Sequence, residues 1–193
     1  MAAGRLYLIR HGKPASTWGD HGADPDPGLD ELGRSQAEAA AQALLALPEA
    51  LRPTRVLTSP LKRCRETAAP FATALGVEAL VEPAVAEIPT PAGLEGAARS
   101  QWLREAFQVS WSEVEGGDYA AWRAGVAKAL IGAAPAAVFS HFVAINAAVS
   151  FAEGHDRVRA CQPGHASITV LEADGEGGLR LIALGAQAET QVL

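Results

Sequence analysis

Three junctions in this sequence place cationic or imidazole side chains directly after a short apolar run. The first is Arg10-His11-Gly12, where the run Arg5-Leu-Tyr-Leu-Ile-Arg10 stops; the second is Thr58-Ser59-Pro60-Leu61-Lys62-Arg63; the third is Phe139-Ser140-His141. In open α/β sheets, ligands bind at the carboxyl ends of strands. A helix that starts there attracts anions through its free N–H groups, and an arginine in its first turn adds a fork for phosphate oxygens. A glycine such as Gly12 lets the backbone turn and approach a ligand closely. Taken alone, each junction also reads as solvated surface charge, which is how Lys62 and Arg65 are read. Together Arg10, His11, Arg63 and His141 converge on one sheet edge of an acidic chain, and that describes a phosphate pocket.

For these groups to meet, the chain must alternate strands and helices, and its pattern does so. A buried strand over 5–10 is followed by a polar loop through Gly28. With Asp30 as N-cap, a helix runs over 31–47 and stops at Pro48. Val56-Leu-Thr-Ser59 is a second strand, and Pro60 takes the first position of a helix to about Leu75, capped by Gly76. A weaker strand covers 77–81. The stretch 87–117 is irregular, broken by Pro89, Pro91, Gly93, Gly116 and Gly117. A helix over 118–131, a strand over 136–140 and a helix over 142–152 follow. Two strands, 166–172 and 179–184, form a terminal hairpin. The expected fold is α/β: a three-layer α/β/α sandwich, with a central mixed, mostly parallel sheet and a small lid insertion.

The 193 residues are expected to form a single domain, 1–193. A hydrophobic share of 49% against 20% charged describes a globular chain and excludes a disordered one. Sixteen basic against 22 acidic side chains give a net charge of −6, which argues against nucleic acid or an anionic membrane as a partner. Cys64 and Cys161 match no disulfide framework and no metal or redox motif. No apolar run reaches the ~18 residues of a membrane span, and the first is too short for a signal peptide, so the expected compartment is the cytoplasm. The excess of arginine over lysine and the abundant alanine suit a GC-rich bacterial genome.

Four segments carry a family resemblance: Leu8-Ile-Arg-His-Gly12, Leu29-Asp-Glu-Leu-Gly-Arg-Ser-Gln-Ala37, Thr58-Ser-Pro-Leu-Lys-Arg-Cys-Arg-Glu-Thr-Ala68 and Val138-Phe-Ser-His141. In order and spacing they resemble the histidine phosphatase superfamily, the phosphoglycerate-mutase-like group. The resemblance implies that His11 is the nucleophile and that Arg10, Arg63 and His141 bind the transferred phosphoryl group, with a mixed sheet flanked by helices. It also places the general acid at Glu87, with Glu95 and Asp118 as fallbacks. These residue types suit the chemistry. A neutral imidazole is a good nucleophile near neutrality, and a phosphohistidine intermediate splits one difficult displacement into two. Two arginines and His141 would hold the developing charge without a metal or other cofactor.

The sequence departs from the family pattern in places. Phe142 follows His141 where the family often has glycine, and its bulk is expected to narrow the pocket. Lys13-Pro14 follows the first motif where many members have a phosphate-contacting asparagine or serine, a contact for which Thr17 or Ser16 would substitute. His165, in Gly164-His-Ala-Ser167, is expected to be structural. Trp102, Leu103, Phe107 and Trp111 read first as core and second as a small lid, about 87–117, that selects substrate. Asp20, Asp24, Asp26 and Asp30 read as solvated loop carboxylates, because Pro25 and Pro27 break a calcium-loop geometry. His21 and His155 read as surface residues.

The expected function is a metal-independent phosphomonoester hydrolase acting through phosphohistidine on a small phosphorylated metabolite, as a monomer or homodimer. Two alternatives within enzymes are mutase-type phosphoryl transfer and hydrolysis of phosphohistidine on proteins. The short insertion favours hydrolysis over mutase activity. The alternative of another class is a catalytically weak module that binds a phosphorylated ligand or a protein.

Overall fold

The computed structural model describes residues 3–16 and 24–188. Along the chain, β1 (Gly4–Arg10) is followed by α1 (Glu31–Leu45), β2 (Val56–Thr58), α2 (Lys62–Leu75) and β3 (Leu80–Val81). Next come α3 (Gly96–Ala106), α4 (Tyr119–Ala133), β4 (Ala136–Ser140) and α5 (Phe142–Ala152), then the hairpin β5 (Ile168–Ala173) and β6 (Leu179–Ala183). The strands form one sheet in the order β3-β2-β4-β1-β5-β6. The pairs β2–β3, β2–β4 and β1–β4 are parallel, while β1–β5 and β5–β6 are antiparallel. This is the expected mixed sheet, and it is open at both edges.

Strand alternation divides the core between two faces. Tyr7 and Ile9 of β1 face α1 and α2, where Ala40, Leu44, Cys64, Ala68 and Phe71 close the layer. Leu6 and Leu8 face the other way, onto Leu103 of α3, Val126 and Leu130 of α4 and Ile145 and Val149 of α5. Because β1, β2 and β4 are covered on both sides, their sequences are continuous apolar runs rather than alternating ones. Their carboxyl ends, Arg10, Thr58 and Ser140, lie side by side: Arg10 is in register with Ser140, and Thr58 with Phe139.

Some elements differ from expectation, for identifiable reasons. Helix α1 ends two residues earlier than Leu47, and β3 shrinks to two residues. Pro60 is not inside a helix: Leu61 occupies the N-cap, and α2 begins at Lys62. The capping acceptors are the Ser59 hydroxyl, 3.3 Å from the Leu61 N–H, and the Asp26 carboxylate, 2.9 Å from the Lys62 N–H. Asp26 reaches that helix from 36 residues away. Asp30 is likewise not a free loop carboxylate; it caps α1 by accepting the Gly33 N–H at 2.7 Å.

The stretch 87–117 contains a helix, α3, in place of the expected irregular run. Its flanking prolines and glycines hid a segment of ordinary helix formers whose Leu103 and Ala106 are buried. Trp111 belongs to the core, with its indole N–H on the Ser150 hydroxyl at 3.0 Å. The Trp111 N–H also bonds the Asp156 carbonyl, and Arg123 bonds Ser150, Asp156 and the His155 carbonyl. These contacts fasten the segment to α4 and α5. No helix among the described residues is long and apolar enough to cross a membrane.

The loop after β1 is packed onto α1 through two glycines. A Cβ on Gly12 would stand 2.5 Å from the Gly33 carbonyl oxygen, and a Cβ on Gly33 would overlap the Lys13 carbonyl oxygen. The contact is backbone against backbone, so neither side can yield cheaply. Gly33→Ala is therefore expected to lower stability by about 1–3 kcal/mol in urea unfolding. Gly125→Ala, on an exposed turn of α4 with open space around it, is expected to be neutral or stabilising by up to about 1 kcal/mol. Equal effects of the two substitutions would contradict the packing account.

Candidate active site

His11 stands immediately beyond β1, and its position is fixed through its backbone. Its N–H donates to the Ser140 carbonyl at the end of β4, 3.0 Å away. The next N–H, of Gly12, donates to the Thr67 hydroxyl at 3.0 Å, and that hydroxyl donates to the Arg63 carbonyl at 2.6 Å. Three sheet-edge junctions are thus tied together before any ligand is considered. The His11 side chain is 7% exposed. Its Nδ1 lies 2.8 Å from the Gly12 carbonyl oxygen. A carbonyl can only accept, so Nδ1 carries the proton and Nε2 keeps its lone pair. Burial, then His141, Arg63 and Arg10 in turn, hold the imidazole well below its usual range and therefore neutral.

Arg10 is 5% exposed and Arg63 4%. Arg10 donates from Nη1 to the Pro163 carbonyl at 2.9 Å, and its Nη2 is 3.1 Å from His165 Nε2. Its guanidinium lies over the Phe142 ring at 5.3 Å, a favourable cation–π geometry. Phe142 therefore supports Arg10 from below, and its ring also packs against Phe107. Burial pushes the Arg10 pKa down to about 10, which leaves it charged near neutrality, and Glu87 acts in the opposite direction.

Arg63, in the first turn of α2, places Nη2 3.2 Å from His141 Nδ1 and Nη1 3.8 Å from the Asp26 carboxylate. His141 is fully buried as the N-cap residue of α5. Since arginine only donates, His141 Nδ1 accepts and Nε2–H points at the Ser59 hydroxyl, 2.7 Å away. The Cys64 sulfur closes the same side, 3.3 Å from Nε2. Burial first, and Arg63, Arg10 and Arg99 after it, keep His141 neutral. The His11 and His141 rings meet edge to face at 5.3 Å.

Glu87 lies on the far side of the pocket, half-buried. Its Oε1 accepts from the Ile88 N–H at 2.9 Å and from the Val143 N–H, in the first turn of α5, at 3.2 Å. Burial raises its carboxyl above the usual range; the Ile88 bond and the charges of Arg63, Arg99 and Arg10 offset part of this. The structure thus brings together five of the six residues singled out from sequence: Arg10, His11, Arg63, Glu87 and His141. Thr17 lies outside the described residues, as do Asp20 and His21. Of the fallback acids, Asp118 caps α4 by accepting the Ala121 N–H, and Glu95 is exposed at the N-cap position of α3.

Several participants were not singled out. Ser59 and Thr67 lie within the segment 58–68, but their types alone give no reason to choose them. Asp26 was read as solvent-facing. Arg99, bonded to Thr90 through its Nε, contributes charge at Glu87 and His141 from a segment read as irregular. His165 was expected to be structural, yet its ring lies 5.8 Å from that of His11.

A neutral imidazole with a free Nε2, two buried guanidinium groups and a carboxyl of raised pKa, all at the carboxyl edge of a mixed α/β sheet, define a site for phosphoryl transfer. The chain belongs to the histidine phosphatase superfamily (branch 1), whose family model matches residues 6–184, and it is a histidine phosphatase. No curated protein matches it. Among solved structures it is similar to a mycobacterial glucosyl-3-phosphoglycerate phosphatase, at 25% identity and a TM-score of 0.73 over 96% of this chain and 100% of that one. A phosphoserine phosphatase from Entamoeba histolytica shares the fold, at 20% identity and a TM-score of 0.74 over 95% of this chain and 98% of that one. So does a putative alpha-ribazole-5'-P phosphatase from Escherichia coli, at 18% identity and a TM-score of 0.72, covering 97% and 98%.

The two buried histidines make stability depend on pH. Below about pH 6.5 an unfolded imidazole takes up a proton that folded His11 and His141 refuse. The unfolded chain then binds more protons, so the stability from these groups is complete above that pH and is lost as pH falls. The slope is at most about 1.4 kcal/mol per pH unit for each histidine. Glu87, with its raised pKa, acts in the opposite sense, so the comparison is best made between variants. Between pH 7.5 and 5.5 the urea midpoint of His11→Gln should fall less than that of the wild type, and an equal fall in both would refute the assignment.

Proposed function

We propose that this protein is a metal-independent phosphomonoester hydrolase that works through a phosphohistidine at His11 on a small phosphorylated metabolite. The observation that carries the reading is the His11 tautomer: the Gly12 carbonyl holds the proton on Nδ1, which leaves Nε2 as a nucleophile inside a cationic pocket. In the first step Nε2 attacks phosphorus, the ester P–O bond breaks, and Glu87 donates its proton to the departing oxygen. In the second step water attacks phosphorus, Glu87 takes its proton, and the N–P bond breaks to release phosphate. The residue that acted as acid thus becomes the base.

Arg10 and Arg63 hold the equatorial oxygens, whose charge they meet without a metal ion. His141 joins as a further donor once a bound dianion outweighs the burial and the neighbouring guanidinium charges that keep it neutral. The raised pKa of Glu87 supports its role, since an acid must still hold its proton near the working pH. The names of the similar structures, phosphatases of a glucosyl phosphoglycerate and of phosphoserine, support a small phosphorylated metabolite as the substrate class.

Phosphate release from p-nitrophenyl phosphate, measured with EDTA present, tests the reading. The wild type should turn over, and His11→Ala should lose on the order of 10³-fold or more. Arg63→Ala should lose about 10²- to 10³-fold in kcat, comparable to an oxyanion-hole donor. Activity that disappears in EDTA and returns with added metal would sink the metal-independent mechanism.

The pH profile separates the acid from the nucleophile. The acid limb of kcat/KM should fall well below pH 6.5, because His11 stays neutral, and the alkaline limb should reflect Glu87 above its ordinary carboxyl range. Glu87→Gln should abolish the alkaline limb and should impair alkyl phosphates more than p-nitrophenyl phosphate, whose leaving group needs no proton. Equal losses on both ester types would remove Glu87 from the acid role.

A further inference from the structure

The turn 163–167 is built around Arg10, and the mechanism above makes no use of its side chains. The Arg10 N–H donates to the Ser167 carbonyl at 3.2 Å, and the Ala166 N–H returns to the Arg10 carbonyl at 3.0 Å. Ala166 sits at φ +54°, a left-handed conformation unusual for a residue with a side chain. The segment leading into the turn is anchored by Asn146 of α5, whose Oδ1 accepts the Ala160 and Cys161 N–H groups at 2.7 and 2.8 Å. A buried amide, a left-handed alanine and reciprocal backbone bonds thus hold His165 and the Pro163 carbonyl against the Arg10 guanidinium.

We propose that His165 is a positioning residue: its imidazole Nε2 accepts the Nη2–H of Arg10 and, with the Pro163 carbonyl on Nη1, sets the plane in which that guanidinium receives phosphoryl oxygens. The contact is 3.1 Å on the imidazole side and 2.9 Å on the carbonyl side. Arginine has no acceptor, so His165 must present a lone pair at Nε2 and carry its proton on Nδ1. A protonated imidazole could not make the bond and would repel the guanidinium. Burial first, and then Arg10, push the His165 pKa down to about 4, with Asp30 opposing and Lys13 assisting, which keeps the lone pair available near neutrality.

The choice of partner has a chemical reason. A carboxylate at this place would neutralise Arg10 and compete with the substrate for it, whereas a neutral imidazole orients the fork and leaves its charge intact. Two polar atoms here, Arg10 Nε and Ser167 Oγ, are buried and make no hydrogen bond among the described residues. An oriented guanidinium with an unspent N–H is what an incoming anion requires. The inference rests on the phosphate-pocket reading of Arg10.

Three proteins test it: wild type, His165→Leu, which removes the acceptor at similar bulk, and His165→Asn, whose amide oxygen can replace it. Orthophosphate affinity by calorimetry and kcat and KM on p-nitrophenyl phosphate are read at pH 7.5. His165→Leu is expected to weaken orthophosphate binding about tenfold or more and to lower kcat/KM roughly 10- to 100-fold, as a misplaced binding group does. His165→Asn should recover both to within about threefold of the wild type. Nitrogen-15 shifts of the wild-type imidazole should show protonation at Nδ1 and not at Nε2, a readout that survives if the leucine variant does not fold.

Wild-type behaviour of His165→Leu, equal impairment of the leucine and asparagine variants, or an Nε2–H tautomer would each overturn the inference while leaving the phosphatase reading in place. A wild type that neither binds orthophosphate nor releases it from the ester would overturn both.

Discussion

Two guanidinium groups are buried at one sheet edge and held mainly by neutral acceptors, and this arrangement constrains everything else in the site. A buried charge costs several kcal/mol unless it is compensated, and a carboxylate partner is the usual solution. Here Arg10 rests on a backbone carbonyl, an imidazole and the face of Phe142, while Arg63 rests on an imidazole with the Asp26 carboxylate at 3.8 Å. The positive charge is oriented and only partly offset. Burial first, and that field after it, keep His11 and His141 neutral, and the field favours an incoming phosphoryl group as counter-charge.

The fold supplies the arrangement through neighbouring strand ends. Parallel pairing of β4 with both β1 and β2 sets three carboxyl ends side by side, and each is followed by backbone that must leave the sheet. At two of them a helix begins within a few residues, so the N–H groups of a helix start and a side chain arrive together. At the third, Gly12 and Gly33 allow two backbones to touch, and the loop after β1 is held where the His11 tautomer is fixed. Thr67 then ties the Gly12 N–H to the Arg63 carbonyl. A shift in any one of these elements would be felt at the others.

The opposite wall is made differently. Glu87 comes from the irregular segment after β3, is gripped by the Val143 N–H of α5, and shares its surroundings with Arg99 of α3. The stretch that carries α3 is fastened by Trp111, Arg123 and Asp156 to the helices beneath it. Its aromatic residues serve mainly to anchor it: Trp111 is core, and Phe107 packs behind the phenyl ring that carries Arg10.

The sequence alone determined the α/β class and the mixed sheet with its terminal hairpin, and it pointed to Arg10, His11, Arg63 and His141 as candidates, because these depend on local patterns; Glu87 came only through the family resemblance. An apolar run, a helix start and a charged residue at their junction are all legible within a dozen positions. It did not determine α3, since prolines and glycines on either side masked a modest helical pattern. Nor did it determine the duties of Asp26, Ser59, Thr67, Arg99 and His165. Each of these acts on a partner brought close by folding, as Asp26 does on a helix 36 residues away and His165 on an arginine 155 residues away. Which nitrogen of each histidine keeps its lone pair was likewise a tertiary decision. It depends on whether a carbonyl or a guanidinium faces the ring, and only the folded chain places one there.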